Sequence, residues 1–277
     1  MPKKRRKVKR KILSKRSSAK MGFYVRRGVL VIALLLAISL LYFLLRNHPS
    51  PTHKPLTSFE NSKYSRKYPV RGVDVSHHNS YIHWEQMMES GVTFVFLKST
   101  EGVNHMDRDY KRNYKLAKDA DLIVGTYHFY TFGMDGKKQA QYFIKKSKVK
   151  PGDMFPAIDV EHSAINKPTS DRRKIKKTID ELKIFERELY NYYGVHPIIY
   201  TNNDCYKRYI ASHFPDNILW MCDLDSEPTV GESKWKIWQF SHHGKVDGVV
   251  NEIDLNYFRY SFSDFKKLLM PDENSKD

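Results

Sequence analysis

Met154-Phe155-Pro156-Ala157-Ile158-Asp159-Val160-Glu161-His162 decides how the rest of this 277-residue chain is read. Its first five residues are apolar, as in a buried strand, and then two acids arrive at alternate positions. In an extended strand, residues i and i+2 point to the same face. Asp159 and Glu161 therefore project together from the strand end. Two carboxyls held close together cannot both ionise freely, and the pKa of one rises. A protonated acid beside an ionised base is the pair that glycoside hydrolysis needs. An isolated Asp-x-Glu equally suits a helix cap or a calcium ligand, so the surrounding sequence has to decide.

Working outward, strand-like and helix-like stretches alternate. Apolar, β-branched or aromatic runs at 70–75, 93–97, 122–130, 154–162, 197–201, 218–221, 235–240 and 249–253 read as strands. Helical spacing appears at 82–90, 108–120, 136–146 and 171–193. The last of these carries Ile175, Ile179, Leu182, Phe185 and Leu189 on one stripe, with Gly194 where a C-cap belongs. Such alternation makes an α/β fold with parallel strands, either an open sheet or a closed barrel. No glycine-rich phosphate loop follows the first strand, which removes the main reason to choose the open sheet. Connections between 218 and 253 are too short to hold a full helix each. The expectation is a TIM-like (β/α) barrel with five regular β/α units and an irregular last third. Asp74, Glu101, His128, the Asp159/Glu161 pair, Asn202, Asp223 and Asp254 all fall at or near expected strand ends, where barrels gather their functional groups.

The net charge of +17 suggests a nucleic-acid partner until its distribution is examined. Residues 1–27 hold thirteen Lys or Arg and no acid, whereas from Asn47 onward 34 basic residues face 31 acidic ones. Behind the basic tail, 28–45 is an uncharged run rich in Leu, Ile, Val, Ala and Phe. At about 1.5 Å per residue it spans roughly 27 Å, the thickness of a hydrocarbon core. The expectation is a transmembrane signal-anchor helix ahead of the barrel. The positive-inside rule then keeps 1–27 cytoplasmic and exports the remainder in a single pass. The run ends in Tyr42-Phe43-Leu44-Leu45-Arg46 rather than in a small-x-small cleavage site. The basic run from Pro2 to Val8 is explained by this span, and no specific nucleic-acid partner is expected. Residues 46–69, with Pro49, Pro51 and Pro55, read as a linker, 70–270 as the barrel and 271–277 as a polar tail. Cys205 and Cys222 are the only cysteines, enough for one disulfide or two separate thiols.

Four stretches carry a resemblance. They are Gly72-Val73-Asp74-Val75-Ser76-His77-His78-Asn79; Phe96-Leu97-Lys98-Ser99-Thr100-Glu101-Gly102 with Asp107; Gly125-Thr126-Tyr127-His128-Phe129-Tyr130 with the Asp159 strand; and Trp238-Gln239-Phe240-Ser241 with Val250-Asn251-Glu252-Ile253-Asp254-Leu255-Asn256. Together, in this order and spacing, they resemble the family 25 glycoside hydrolases, the Chalaropsis-type lysozymes that cleave peptidoglycan. Two positions depart from the pattern, Ser80 in place of the usual Gly and His105 in place of a bulky apolar residue.

The resemblance implies a lysozyme-type muramidase acting on peptidoglycan glycan strands, which the expected span at 28–45 would place on the outer side of a bacterial cell membrane. It implies Glu161 as general acid, with Asp74, Asp159 and Asp254 as its companions. A second carboxylate activating water, or the substrate's own acetamido group attacking, both remain open. Tyr127, Tyr200, Trp220 and Trp238 are candidates for the sugar platform, since aromatic faces pack on pyranoses. Gln239 and Glu101 are expected beside them. His77, His78 and His162 fit no strong metal spacing; no metal or cofactor is expected. The competing reading is a non-catalytic membrane protein that binds peptidoglycan.

Overall fold

The computed structural model describes residues 57–79, 81–231 and 234–272. The basic tail and the expected span at 28–45 lie outside the described residues. No helix among those described is long and apolar enough to cross a membrane.

Nine strands form one sheet: β1 (Val70–Val75), β2 (Phe94–Glu101), β3 (His105–Met106), β4 (Ile123–Phe129), β5 (Ala157–Val160), β6 (Ile198–Asn202), β7 (Leu219–Cys222), β8 (Trp235–Gly244) and β9 (Ile253–Phe258). Their order is β1-β9-β8-β7-β6-β5-β4-β2-β3, and β1 also pairs with β2, so eight strands close into a barrel. The short β3 folds back on β2 outside the ring.

The helices are α1 (Ser58–Asn61), α2 (Trp84–Glu89), α3 (Tyr110–Asp119), α4 (Gly136–Lys146), α5 (Arg172–Tyr193), α6 (Asn203–Cys205, continued by a π-turn to Ile210) and α7 (Phe262–Phe265). Five of them, α2 to α6, follow β1, β2, β4, β5 and β6. Among the described residues, no helix separates β7, β8 and β9. Gly194 ends α5 in the left-handed conformation with φ 75°, where a Cβ is costly.

Two expectations for the sheet are corrected. The last strand runs from Ile253 to Phe258 rather than over 249–253, and Val250 is 87% exposed. It is also antiparallel to both neighbours, because the 245–252 connection is too short for a parallel crossover. The reversal puts the start of β9, not its end, at the functional rim. The third difference concerns 57–69, expected as linker. A capping box at Thr57 and Glu60 starts α1 there. Phe59 and Tyr68 are buried against β8 and β9, with Phe59 5.6 Å from the Tyr257 ring. Aromatic spacing at 59, 64 and 68 supplies a surface that covers the side of the barrel lacking helices.

Strand alternation sorts the core into two parts. Outward residues such as Val73, Val95, Val124, Ile158, Ile199 and Met221 pack under the helices. Inward residues Val70, Phe94, Phe96, Ile198, Trp220, Ile237 and Phe258 fill the barrel, and Phe265 and Leu268 after β9 close its floor. Gly72 and Gly125 make room for the inner rings. A Cβ at Gly72 would lie 2.2 Å from the Phe94 ring, and one at Gly125 2.4 Å from that of Phe96. Cys205 is buried and Cys222 half-buried, and neither is bonded.

Candidate active site

The inward positions change character toward the strand ends. Asp74, Lys98, Tyr127, Asp159 and Gln239 continue the same faces that carry Phe94 and Ile237 below. A cavity of about 220 Å³ opens at this end, lined by Asp74, Tyr127, Asp159, Glu161, Tyr200, Trp220, Gln239, His242 and Asp254. All four acids singled out in the sequence meet there. Asp74 and Asp254 stand directly opposite each other on antiparallel β1 and β9. Asp159 is the last but one residue of β5, and Glu161 follows it by two residues, on the same side.

A hydrogen-bonded frame holds the cavity wall. Gln239 and Asn256 both donate to Asp74 Oδ2, at 2.8 and 2.7 Å. Tyr200 donates to Gln239 Oε1 at 2.7 Å, and Trp220 Nε1 to Asn256 Oδ1 at 2.7 Å. Trp220 stacks on Phe96 with ring centroids 4.3 Å apart and meets Tyr200 edge-on at 4.7 Å. These bonds fix the aromatic wall and one oxygen of Asp74 before any ligand arrives. Asp254 is held from the rim by His242, Nδ1 to Oδ1 at 2.9 Å.

A sequence profile described as Glycosyl hydrolases family 25 matches residues 73–249. The chain belongs to this family. It is 29% identical over 213 residues to Lysozyme M1 of Streptomyces globisporus, covering 69% of this chain and 68% of that protein. Among solved structures, a family 25 glycosyl hydrolase from Bacillus anthracis superposes with a TM-score of 0.67 at 30% identity, over 73% of this chain and 94% of that one. A bacterial lysozyme from Streptomyces coelicolor gives 0.66 at 27% identity, over 72% and 96%. A glycoside hydrolase of family 25 is thus the frame for the electrostatics.

In this family 25 barrel, burial drives the carboxyl pKa values. Glu161 is pushed up to about 7 by loss of water, with the cation of His242 and that of Lys98 pulling down and Asp254 pushing up. Burial, followed by repulsion from Asp254, holds Asp74 well above the usual carboxylate range. Asp159 is raised by burial and then by Glu161, and its Oδ1 has no hydrogen-bond partner. His242 is raised to about 10, first by its bond to Asp254 and then by Cys222, whose Sγ lies 3.9 Å from Nε2. Near neutral pH the cavity therefore holds a carboxylic acid at Glu161 with a fixed cation at the rim. That combination can donate a proton to a leaving oxygen.

Of the expected sugar-binding residues, Tyr127, Tyr200, Trp220 and Gln239 line the cavity. Trp238 does not. It alternates with Ile237 and Gln239 and so points outward, 1% exposed, against Tyr64 at 4.8 Å, with Nε1 donating to the Asp223 carbonyl. Glu101 does not line the cavity either; it holds Lys98, Nζ to Oε2 at 2.6 Å.

The motif histidines bond structural partners. His77 bonds Asp107 at 2.8 Å and His162 lies 3.1 Å from Asp204. His128 is buried against Phe185 and bonds Thr100 and Gln139, and burial lowers it to about 3. No cluster of His, Cys, Asp or Glu that could hold a metal occurs among the described residues.

Sequence reasoning gave His242, Lys98 and Asn256 no role. Lys98 and Asn256 share the inward period of Phe96 and Phe258, which would have found them. His242 has no such signal. The register of β8 against β9 shifts after Gln239 and again after Ser241, and these irregularities break the strand period that sequence counting relies on.

Proposed function

We propose that this glycoside hydrolase is a muramidase that cleaves the β-1,4 bond between N-acetylmuramic acid and N-acetylglucosamine in peptidoglycan. The observation that carries the reading is Glu161, a carboxyl raised to about 7 in a cavity shared with three aspartates. The relative's name, Lysozyme M1, points to the same substrate.

In this reading Glu161 gives its proton to the glycosidic oxygen as that bond to the anomeric carbon breaks. Asp159 Oδ1, buried and without a partner, accepts the N–H of the substrate's 2-acetamido group. The acetamido oxygen then bonds the anomeric carbon and forms a cyclic intermediate. Water, losing its proton to Glu161, opens that ring with retention. Asp254 stabilises positive charge on the sugar ring as the leaving bond lengthens, and Asp74, its proton retained by burial, hydrogen-bonds Asp254 from the opposite strand.

Glu161→Gln should stop the release of reducing ends from purified peptidoglycan while the protein keeps its thermal transition. Wild-type rates in that variant would remove Glu161 from the role of acid. Binding to peptidoglycan without turnover by the wild-type chain would favour the non-catalytic reading instead. We also propose that residues 28–45 span the bacterial cell membrane, with 1–27 cytoplasmic and the barrel exported. Protease protection of a tag at residue 1, together with accessibility of the barrel in intact spheroplasts, tests this; the reverse pattern overturns it.

A further inference from the structure

A second groove, of about 490 Å³, is lined by connections that leave β4 and β5 at the end where the catalytic acids lie. It lies between the segment after β4 and the segment leading from β5 into α5. Its lining is mixed: Phe132, Ile165 and Pro168 offer apolar surface, while Lys167, Lys174 and Lys177 offer amines. Ile165 is 55% exposed. No acid lines the groove. The three lysines have no acidic partner among the described residues, whereas neighbouring Arg173 and Lys176 pair with Asp171 and Asp180.

The helix that carries two of these lysines breaks a local rule. Arg172, Arg173, Lys174, Lys176 and Lys177 all fall in the first six residues of α5, and its first turn has no acid. Cations at a helix N-terminus oppose the helix dipole and destabilise it. The N-cap Asp171 and Asp180 offset Arg173 and Lys176, and the cations left over at Lys174 and Lys177 mark a binding role.

The groove is also tied to the catalytic strand. Buried Asn166 joins its two walls: the side chain accepts from the Phe132 N–H at 2.8 Å and donates to the carbonyls of Tyr130 and Glu161 at 2.7 and 3.2 Å.

We propose that this groove binds an acidic peptide, the one carried by the muramic acid next to the scissile bond. The lysines take its carboxylates, and Phe132 and Ile165 take its apolar side chains. The inference rests on the muramidase reading above. A peptide attached to a sugar seated at Glu161 leaves the cavity at this rim, and the charge it carries is the charge the groove lacks.

The test is the triple variant Lys167→Ala/Lys174→Ala/Lys177→Ala, all at exposed positions, assayed on two substrates. One is soluble peptidoglycan fragments with peptides attached; the other is the same glycan with peptides removed by an amidase. The expected result is a fall in kcat/KM of roughly tenfold on the peptide-bearing substrate, the scale of lost charge-assisted contacts, expressed mainly in KM. Activity on the stripped glycan should stay within about twofold, a difference too small to signal a lost contact.

An equal fall on both substrates, or no fall on either, overturns the proposal. So does competition by linear polyphosphate with unchanged peptide preference, which assigns the groove to a phosphate polymer. A wild-type protein inactive on both substrates overturns the muramidase reading itself, and this inference with it.

Discussion

The floor and the mouth of the barrel are made by the same strands and the same inward faces, two to four residues apart. At the floor those faces carry Val70, Phe94, Ile198, Ile237 and Phe258. At the mouth they carry Asp74, Lys98, Asp159, Gln239 and Asp254. The floor contributes stability, since fully burying an apolar side chain is worth about 1.5–3 kcal/mol. The mouth gives stability up: Asp74 and Asp159 are buried where their charged forms are disfavoured. The fold tolerates the mouth because the floor beneath it is packed with apolar side chains.

The largest effect expected from this contrast is at the floor. Phe94→Ala removes a ring that touches Phe96 and Phe265 and fills the space above Gly72. It should cost about 3–5 kcal/mol in chemical denaturation, with the specific activity of the folded fraction unchanged. A loss below about 1 kcal/mol would mean that the interior relaxes into the space and that the floor is not close-packed.

The mouth should behave in the opposite way. Asp74→Asn keeps the shape and an oxygen for the donors Gln239 and Asn256, and removes a carboxyl whose ionisation the fold opposes. Turnover should drop by roughly a hundredfold, the lower end for loss of one preorganised group beside developing charge. The melting temperature at neutral pH should hold or rise. A variant that is less stable and still active would place Asp74 with the structural residues.

The two faces of the sheet, outward at Trp238 on β8 and inward at Trp220 on β7, give a smaller test. Trp238→Phe removes an outward indole bonded to the Asp223 carbonyl and should cost about 1–2 kcal/mol of stability, with KM on glycan unchanged. Trp220→Phe alters the inner wall and breaks the bond to Asn256, so KM should rise. Equal KM changes in both variants would erase the distinction between the faces.

Much of this was legible in advance, for reasons that can be named. Strand β1 and helix α4 occupy 70–75 and 136–146 as read, because strong periodicity and clear breakers coincide there. The meeting of Asp74, Asp159 and Glu161 at one mouth follows from the strand-end pattern, whereas Asp254 reaches it from the start of a reversed strand. What was missed lies where a long-range fact overrides the local signal. Trp238 resembled a sugar platform because its aromatic partners, Tyr64 and Tyr68, sit in a stretch whose prolines and serines read as linker. The position of β9 was obscured by the apolar Val249-Val250 pair, half-buried and exposed respectively, and by a reversal of direction that composition does not encode. The irregular register of β8 hid His242.

That residue supplies the finest test, because its charge and Glu161's proton are coupled across the mouth. His242, raised to about 10, stays cationic while Glu161 titrates near 7. Glu161 must be protonated to act, so activity should fall as pH rises through about 7. His242→Gln removes a cation that favours the ionised form of Glu161 and leaves Asp254, which disfavours it, unpaired. Both changes have the same sign, so the alkaline limb of kcat/KM should move up, by roughly one unit.

Stability gives an independent reading of the same groups. Glu161 is raised from 4.5, so the folded state holds the proton more tightly, and its contribution is lost as pH rises from 4.5 to 7. His242, raised from 6.5, contributes fully below 6.5 and loses that contribution toward 10. Glu161→Gln should therefore flatten the melting-temperature profile only in the lower window, and His242→Gln only in the upper one. An alkaline limb that stays put or moves down in His242→Gln would show that the rim cation and the acid titrate independently.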